Sequence, residues 1–96
     1  MFHLVFADKV TPLRQTLEMG ETVVGRSATC DIIIDDPSVS RRQARVAVMG
    51  ARCKLLDLDS TNGTFVNDAR IATTRLESGD RLRVGRVELV ALRETE

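Results

Sequence analysis

Apolar residues in this chain recur at every second position. Phe2, Leu4 and Phe6 alternate with His3 and Val5, and Ala44, Val46 and Val48 with Gln43, Arg45 and Ala47. Leu82 and Val84 alternate with Arg81 and Arg83, and Val87, Leu89 and Ala91 with Glu88 and Val90. Residues two apart share one face of a strand, so these runs predict strands with one face turned inward. Thr22-Val23-Val24 reads as another strand, and the β-branched triplet Ile32-Ile33-Ile34 as a short buried one. Between Arg52 and Leu58 the alternation slips at Leu55-Leu56, which predicts a bulge or a strand facing two environments.

Turn formers separate these runs: Met19-Gly20-Glu21, Asp35-Asp36-Pro37-Ser38, Asn62-Gly63, Asn67-Asp68 and Ser78-Gly79-Asp80. Asn-Gly between strand-like runs predicts a two-residue hairpin at 62–63. Pro37 pushes Asp36 into an extended conformation and argues against a helix there. No window sustains a helical period. Many short strands with close turns predict an all-β sandwich or barrel, folded as a single domain over residues 1–96.

Composition narrows the chemistry. Formal net charge is zero, which argues against a general polyanion binder, so attraction to an anion must come from a local patch. Twelve of the 14 basic residues are Arg, a bias that favours forked hydrogen bonding to oxyanions. The arginines lack interleaved aromatics, with no Trp or Tyr and only Phe2, Phe6 and Phe65, so nucleic acid is not an expected partner. Cys30 and Cys53 form no CxxC pair and, with one His in the chain, complete no zinc site. They read as buried free thiols in a reducing cytoplasm. The first residues lack the basic start and long apolar run of a secretory signal. No stretch approaches the ~20 apolar residues of a membrane helix. A cytoplasmic location is therefore expected, with no membrane partner, metal or cofactor. Arg93-Glu94-Thr95-Glu96 reads as a terminus or as the start of a linker in a longer parent.

Catalytic groups are missing from the pattern. There is no GxSxG elbow and no GxxxxGK[ST] loop. His3 lies on the alternate face of the first strand, and Asp57 and Asp59 read as strand-end residues. An enzyme is not expected.

Three segments, by contrast, ask for one ligand: Gly25-Arg26, Ser40-Arg41-Arg42-Gln43 and Ser60-Thr61-Asn62-Gly63-Thr64. Arg26 stands at a strand end, where a guanidinium can grip a dianion through paired, charge-assisted hydrogen bonds. Gly25 beside it relieves steric limits and lets a ligand approach. Ser40 offers a hydroxyl and Arg41 a charge, in a stretch from Ser40 to Arg45 with three arginines and no acid. Thr61 adds another hydroxyl, and the Asn62 amide can both donate to and accept from the main chain of an extended peptide.

Gly-Arg at 25–26, Cys-Asp-Ile at 30–32, Val-Ser-Arg-Arg at 39–42, Leu-Asp-Leu-Asp-Ser-Thr-Asn-Gly-Thr at 56–64, Leu-Glu-Ser-Gly-Asp at 76–80 and Val-Gly at 84–85 occur in an order that resembles a forkhead-associated (FHA) domain. The resemblance covers nearly the whole chain. It implies a β-sandwich of about eleven strands with recognition loops at one end, and a phosphothreonine-peptide-binding module that catalyses nothing. It implies that Arg26, Ser40 and Thr61, joined by Arg41, contact the phosphate, and that Asn62 holds the peptide backbone. Gly25, Gly63 and Thr64 would shape the loops, and Ser38 would lie near the surface that reads a residue further along the peptide. Where the family usually has a histidine, this chain has Gln43; its amide can also donate and accept, so the substitution predicts a less rigid loop with binding that survives in weakened form. It also motivates an alternative, a docking domain of the same fold that binds its partner independently of phosphate. The expected partner is a phosphothreonine-containing protein or peptide, in another protein or in the same parent chain. Hydrogen bonds to a charged group contribute about 1.5–3 kcal/mol each. Less the cost of ordering a peptide, this predicts affinity near the micromolar range, about −8 kcal/mol. An apolar notch for the threonine methyl would discriminate against phosphoserine by only about 10–200-fold.

Overall fold

The computed structural model describes residues 1–6 and 14–94, and every regular element among them is a strand. There are eleven: β1 Phe2–Phe6, β2 Arg14–Leu17, β3 Gly20–Gly25, β4 Ile32–Ile33, β5 Ala44–Met49, β6 Arg52–Asp57, β7 Thr64–Val66, β8 Ala69–Arg70, β9 Thr73–Leu76, β10 Arg81–Val84 and β11 Val87–Arg93. They form a six-stranded sheet in the order β2-β1-β11-β10-β7-β8 and a five-stranded sheet in the order β4-β3-β5-β6-β9. The pairings are antiparallel except β3 with β4.

The period-two pattern sets which face of each strand turns inward. Val46, Val48, Cys53, Leu55 and Leu76 from one sheet meet Leu4, Leu82, Val84, Leu89 and Ala91 from the other in one apolar core. Burying one such aliphatic side chain contributes about 1.5–3 kcal/mol. Both cysteines are free and buried. Burial pushes the Cys53 thiol up to about 11, so it stays protonated near neutral pH. His3 is buried as well, with Nδ1 3.1 Å from Thr16 Oγ1 and Nε2 3.4 Å from Glu94 Oε2.

Three local expectations change. No bulge occurs at Leu55-Leu56: β5 and β6 pair without interruption from Ala44↔Asp57 to Met49↔Arg52. Cys53 and Leu55 point inward, and Leu56 is an outward-facing leucine, 36% exposed. In the isoleucine triplet, Ile32 and Ile34 are buried but Ile33 is 51% exposed, because a strand must turn its middle residue outward. Asn62-Gly63 makes no hairpin, and the two-residue turn is instead Asn67-Asp68, between paired Val66 and Ala69. Its residues have φ of 50° and 73°, the signature of a type I′ turn, which Asn and Asp tolerate.

Strand direction decides where the loops lie. The C-terminal ends of β3 and β6 and the N-terminal end of β5 adjoin, as the pairs Val24↔Ala44 and Ala44↔Asp57 require. Segments 26–31, 38–43 and 58–63 therefore leave the sheet at one end.

Candidate functional site

The three predicted segments meet on residues 38–40. The Arg26 main chain donates to Ser40 O at 3.0 Å, and Arg26 Nε donates to Val39 O at 3.0 Å. Thr61 N donates to Ser40 Oγ at 2.9 Å, and Asn62 Nδ2 to Ser38 O at 2.9 Å. What these bonds leave over matters as much as what they use. Arg26 has Nη1 and Nη2 unpaired among the described residues, and it forms no ion pair with Asp31 or Asp35. Asp31 instead caps Val23 N through Oδ2 at 2.8 Å. Ser40 Oγ accepts from Thr61, so its own proton is free to donate. Asn62 keeps one N–H and its carbonyl oxygen. Arg26, Arg41, Thr61 and Asn62 are exposed and Ser40 is half-buried, so the free groups face solvent.

Beneath this rim lies a buried polar network. Gln43 has 0% exposure. Its Oε1 accepts from Ser40 N at 2.9 Å, and Nε2 donates to Gly63 O at 2.9 Å and to Thr64 Oγ1 at 3.0 Å. Thr64, also fully buried, passes its proton to Asp57 Oδ1 at 2.7 Å. Asp57 accepts as well from Ser60 Oγ at 2.6 Å and from Ser60 N at 3.3 Å. The Gln43 amide thus adds a buried link between the serine and threonine loops, below those from Thr61 and Asn62, and one carboxylate at the end of β6 shapes the latter loop. The sequence led us to expect a looser loop at Gln43. That expectation rested on a free side chain, and burial with every amide hydrogen engaged removes the freedom.

Two glycines permit the approach of these loops. A β-carbon on Gly25 would stand 2.2 Å from Arg41 O. What comes close there is the chain's own carbonyl, where the sequence suggested a ligand. Arg41 O also receives Ser27 N and the Cys30 thiol, each at 3.1 Å. Gly85, at φ 58°, leaves no room for a β-carbon, which would meet Ser38 O at 2.3 Å. The Asn62-Gly63 bend serves this packing: Gly63 at φ 88° turns the chain back to offer its carbonyl to Gln43.

Ser38 belongs to a satellite network that the sequence did not reveal. Asp36 Oδ1 accepts from Ser38 N at 2.9 Å and Ser38 Oγ at 2.7 Å, while Arg86 Nε lies 3.2 Å from the same oxygen. Arg86 N donates to Ser38 Oγ at 2.9 Å. The hydrogen bonds from Ser38, and then Arg86, hold the Asp36 carboxyl below its ordinary value of 3.8. A carboxylate lowered on folding favours the folded state above its unfolded pKa and loses that contribution as pH falls through the folded value. The 36–40 segment is therefore expected to loosen only below about pH 4. An NMR titration should show the Ser38 amide following Asp36 in that window, and a Ser38 shift centred at higher pH would contradict the assignment.

A concavity of about 700 Å³ is elsewhere. It lies at the opposite end of the strands, lined by Met1, Leu17, Met19 and Gly50 among others. Residues 26, 38–43 and 60–64 form an open rim instead.

The sequence profile of the FHA domain matches residues 22–85. The chain belongs to the FHA domain family. Among curated proteins, this FHA domain is 37% identical over 79 residues to the glycogen accumulation regulator GarA of Mycolicibacterium smegmatis, which covers 82% of this chain and 50% of GarA. It is 37% identical over 79 residues to the oxoglutarate dehydrogenase inhibitor of Corynebacterium jeikeium, covering 82% of this chain and 55% of that protein. The chain spans about half the length of these relatives. Among solved structures, a chain from a structural and functional study of phosphothreonine-dependent FHA domain interactions superposes with a TM-score of 0.91 at 30% identity, covering 99% of this chain and 98% of that one. The FhaA FHA domain, crystallised with the intracellular domain of Rv3910, gives 0.90 at 32% identity, covering 95% of this chain and 99% of that one. The eleven strands in two sheets agree with the sandwich expected from the sequence.

Proposed function

We propose that this FHA domain is a reader of phosphothreonine peptides, acting by binding and not by catalysis. The observation that carries the reading is the convergence of unpaired Arg26 terminal nitrogens, the Ser40 hydroxyl and Asn62 amide groups on one exposed rim, tied together through residues 38–40. A phosphothreonine headgroup brings close to two negative charges and three acceptor oxygens at neutral pH. Arg26 supplies the fork, Ser40 and Thr61 their hydroxyl donors, and Arg41 further charge. Asn62, one hydrogen already committed to Ser38, holds the peptide backbone with the other and with its carbonyl oxygen. FHA structures similar to this chain involve phosphothreonine-dependent interactions and a partner's intracellular domain, which supports a protein partner. The free buried thiols of Cys30 and Cys53 are in keeping with a reducing compartment such as the cytoplasm.

The test is a calorimetric titration with one threonine peptide in phosphorylated and plain forms, drawn from a degenerate library. The phosphorylated form should bind in the micromolar range, about −8 kcal/mol, and the plain form at least about a hundredfold more weakly. Equal affinity for both would favour the phosphate-independent docking domain.

A further inference from the structure

Phe65 in β7 points outward, since Thr64 and Val66 on either side of it are buried. Its cross-strand partners are Arg83 in β10 and Arg70 in β8. Directly opposed residues share a face, so Arg83, Phe65 and Arg70 form one row across the outside of the six-stranded sheet. The Arg83 guanidinium carbon lies 4.0 Å from the Phe65 ring centroid, and Arg83 Nη1 donates to Gly85 O at 3.3 Å. At its other end the row reaches the rim of the site. A β-carbon built on Gly63 would stand 3.0 Å from both Phe65 Cε1 and Arg70 Nε. Because Gly63 has no side chain, Arg70 lies across the backbone next to Asn62.

Charge separates these two arginines from their neighbours. Arg81 is paired with Asp68 at 3.1 Å, and Arg86 with Asp36 at 3.2 Å. Arg70 and Arg83 form no ion pair among the described residues, although Glu88 stands cross-strand from Arg83. A guanidinium stacked on a ring keeps its edge free for a carboxylate. The row thus carries two guanidinium groups with no ion pair among the described residues, and it is continuous with the proposed phosphate rim.

We infer that the Arg70–Phe65–Arg83 row is an extension of the peptide-binding surface that favours acidic residues flanking the phosphothreonine, an inference that rests on the phosphothreonine reading above. Aspartate and glutamate carboxylates supply the complementary charge, and the half-buried Phe65 ring adds apolar area for their stems.

The experiment titrates the intact chain, as wild type and as Arg70→Ala, with four phosphothreonine peptides. One has neutral flanks; the others carry acidic residues on the N-terminal side, on the C-terminal side, or on both. Arg70 is exposed at the sheet edge, and a thermal melt verifies that the variant folds. At least one acidic peptide should bind wild type about fivefold tighter than the neutral one, the upper range for exposed ion pairs. That preference should shrink in about 0.5 M salt and vanish in Arg70→Ala, with neutral-peptide affinity unchanged. Equal affinities for neutral and acidic peptides would overturn this inference and leave phosphate dependence standing. A uniform loss for all four peptides in Arg70→Ala would also overturn it, by moving Arg70 into the phosphate grip. Failure of every phosphopeptide to bind wild type would overturn both this inference and the reading beneath it.

Discussion

Arg26→Ala is expected to weaken phosphothreonine-peptide binding by about a hundredfold or more while leaving the domain folded. The two free guanidinium nitrogens offer a dianion two charge-assisted hydrogen bonds, worth about 1.5–3 kcal/mol each. Their joint loss of about 3 kcal/mol or more moves a micromolar complex to about 100 μM or beyond. The fold has less at stake. Arg26 contributes one side-chain hydrogen bond, from Nε to Val39 O, and its main-chain bond to Ser40 O survives truncation. A stability loss near 1 kcal/mol follows. Calorimetry and a thermal melt on the same sample separate the two effects. A folded variant that binds like wild type would remove Arg26 from the site and, with it, the proposed mode of recognition.

Gln43→Leu is expected to lower the melting temperature by about 12–32 °C. Leucine fits the volume but removes three hydrogen bonds: one leaves the Ser40 N–H without a partner, while the Gly63 carbonyl keeps Gly85 N and the Thr64 hydroxyl keeps Asp57. An N–H left unpaired costs about 1–3 kcal/mol, and each of the other two lost bonds about 1 kcal/mol. A total of about 3–4 kcal/mol, allowing Ser40 and Gly63 some access to water, converts at about 4–8 °C per kcal/mol for a domain of this size. Peptide binding should weaken as well at temperatures where the variant is still folded, because the buried link between the serine and threonine loops passes through this side chain. A melting temperature within about 3 °C of wild type would show that the loops are held by other means.

These two residues mark what could be read from the chain and what could not. Arg26 was legible because a Gly-Arg pair at a strand end, together with Ser40 and Thr61 further on, forms an ordered set whose chemistry agrees. Gln43 was legible as a departure, but its enclosure was not, since nothing local says that its amide has partners 20 and 21 residues away. Asp57 carries the same lesson: as a strand-end acid it is ordinary, and only folding brings Ser60 and Thr64 onto one carboxylate. Arg86 and Gly85 converge on Ser38 and its neighbour Asp36 from the other sheet, a contact invisible to any window of sequence. Alternation predicted the long strands well because burial of one face dominates there. It failed at Leu55-Leu56, where an outward leucine imitates a slipped register, and at Asn62-Gly63, where tertiary hydrogen bonding overrode a strong hairpin signal.

The side-chain ties among residues 38–43 and 57–64 carry one more consequence. Since the rim is fastened to the core strands by the Asp57 carboxylate and the Gln43 amide, capture and release by the proposed reader would need no rearrangement of these loops. Signal timing would then be left to the kinase and phosphatase that write and erase the mark, with the domain following at the pace of diffusion and simple escape.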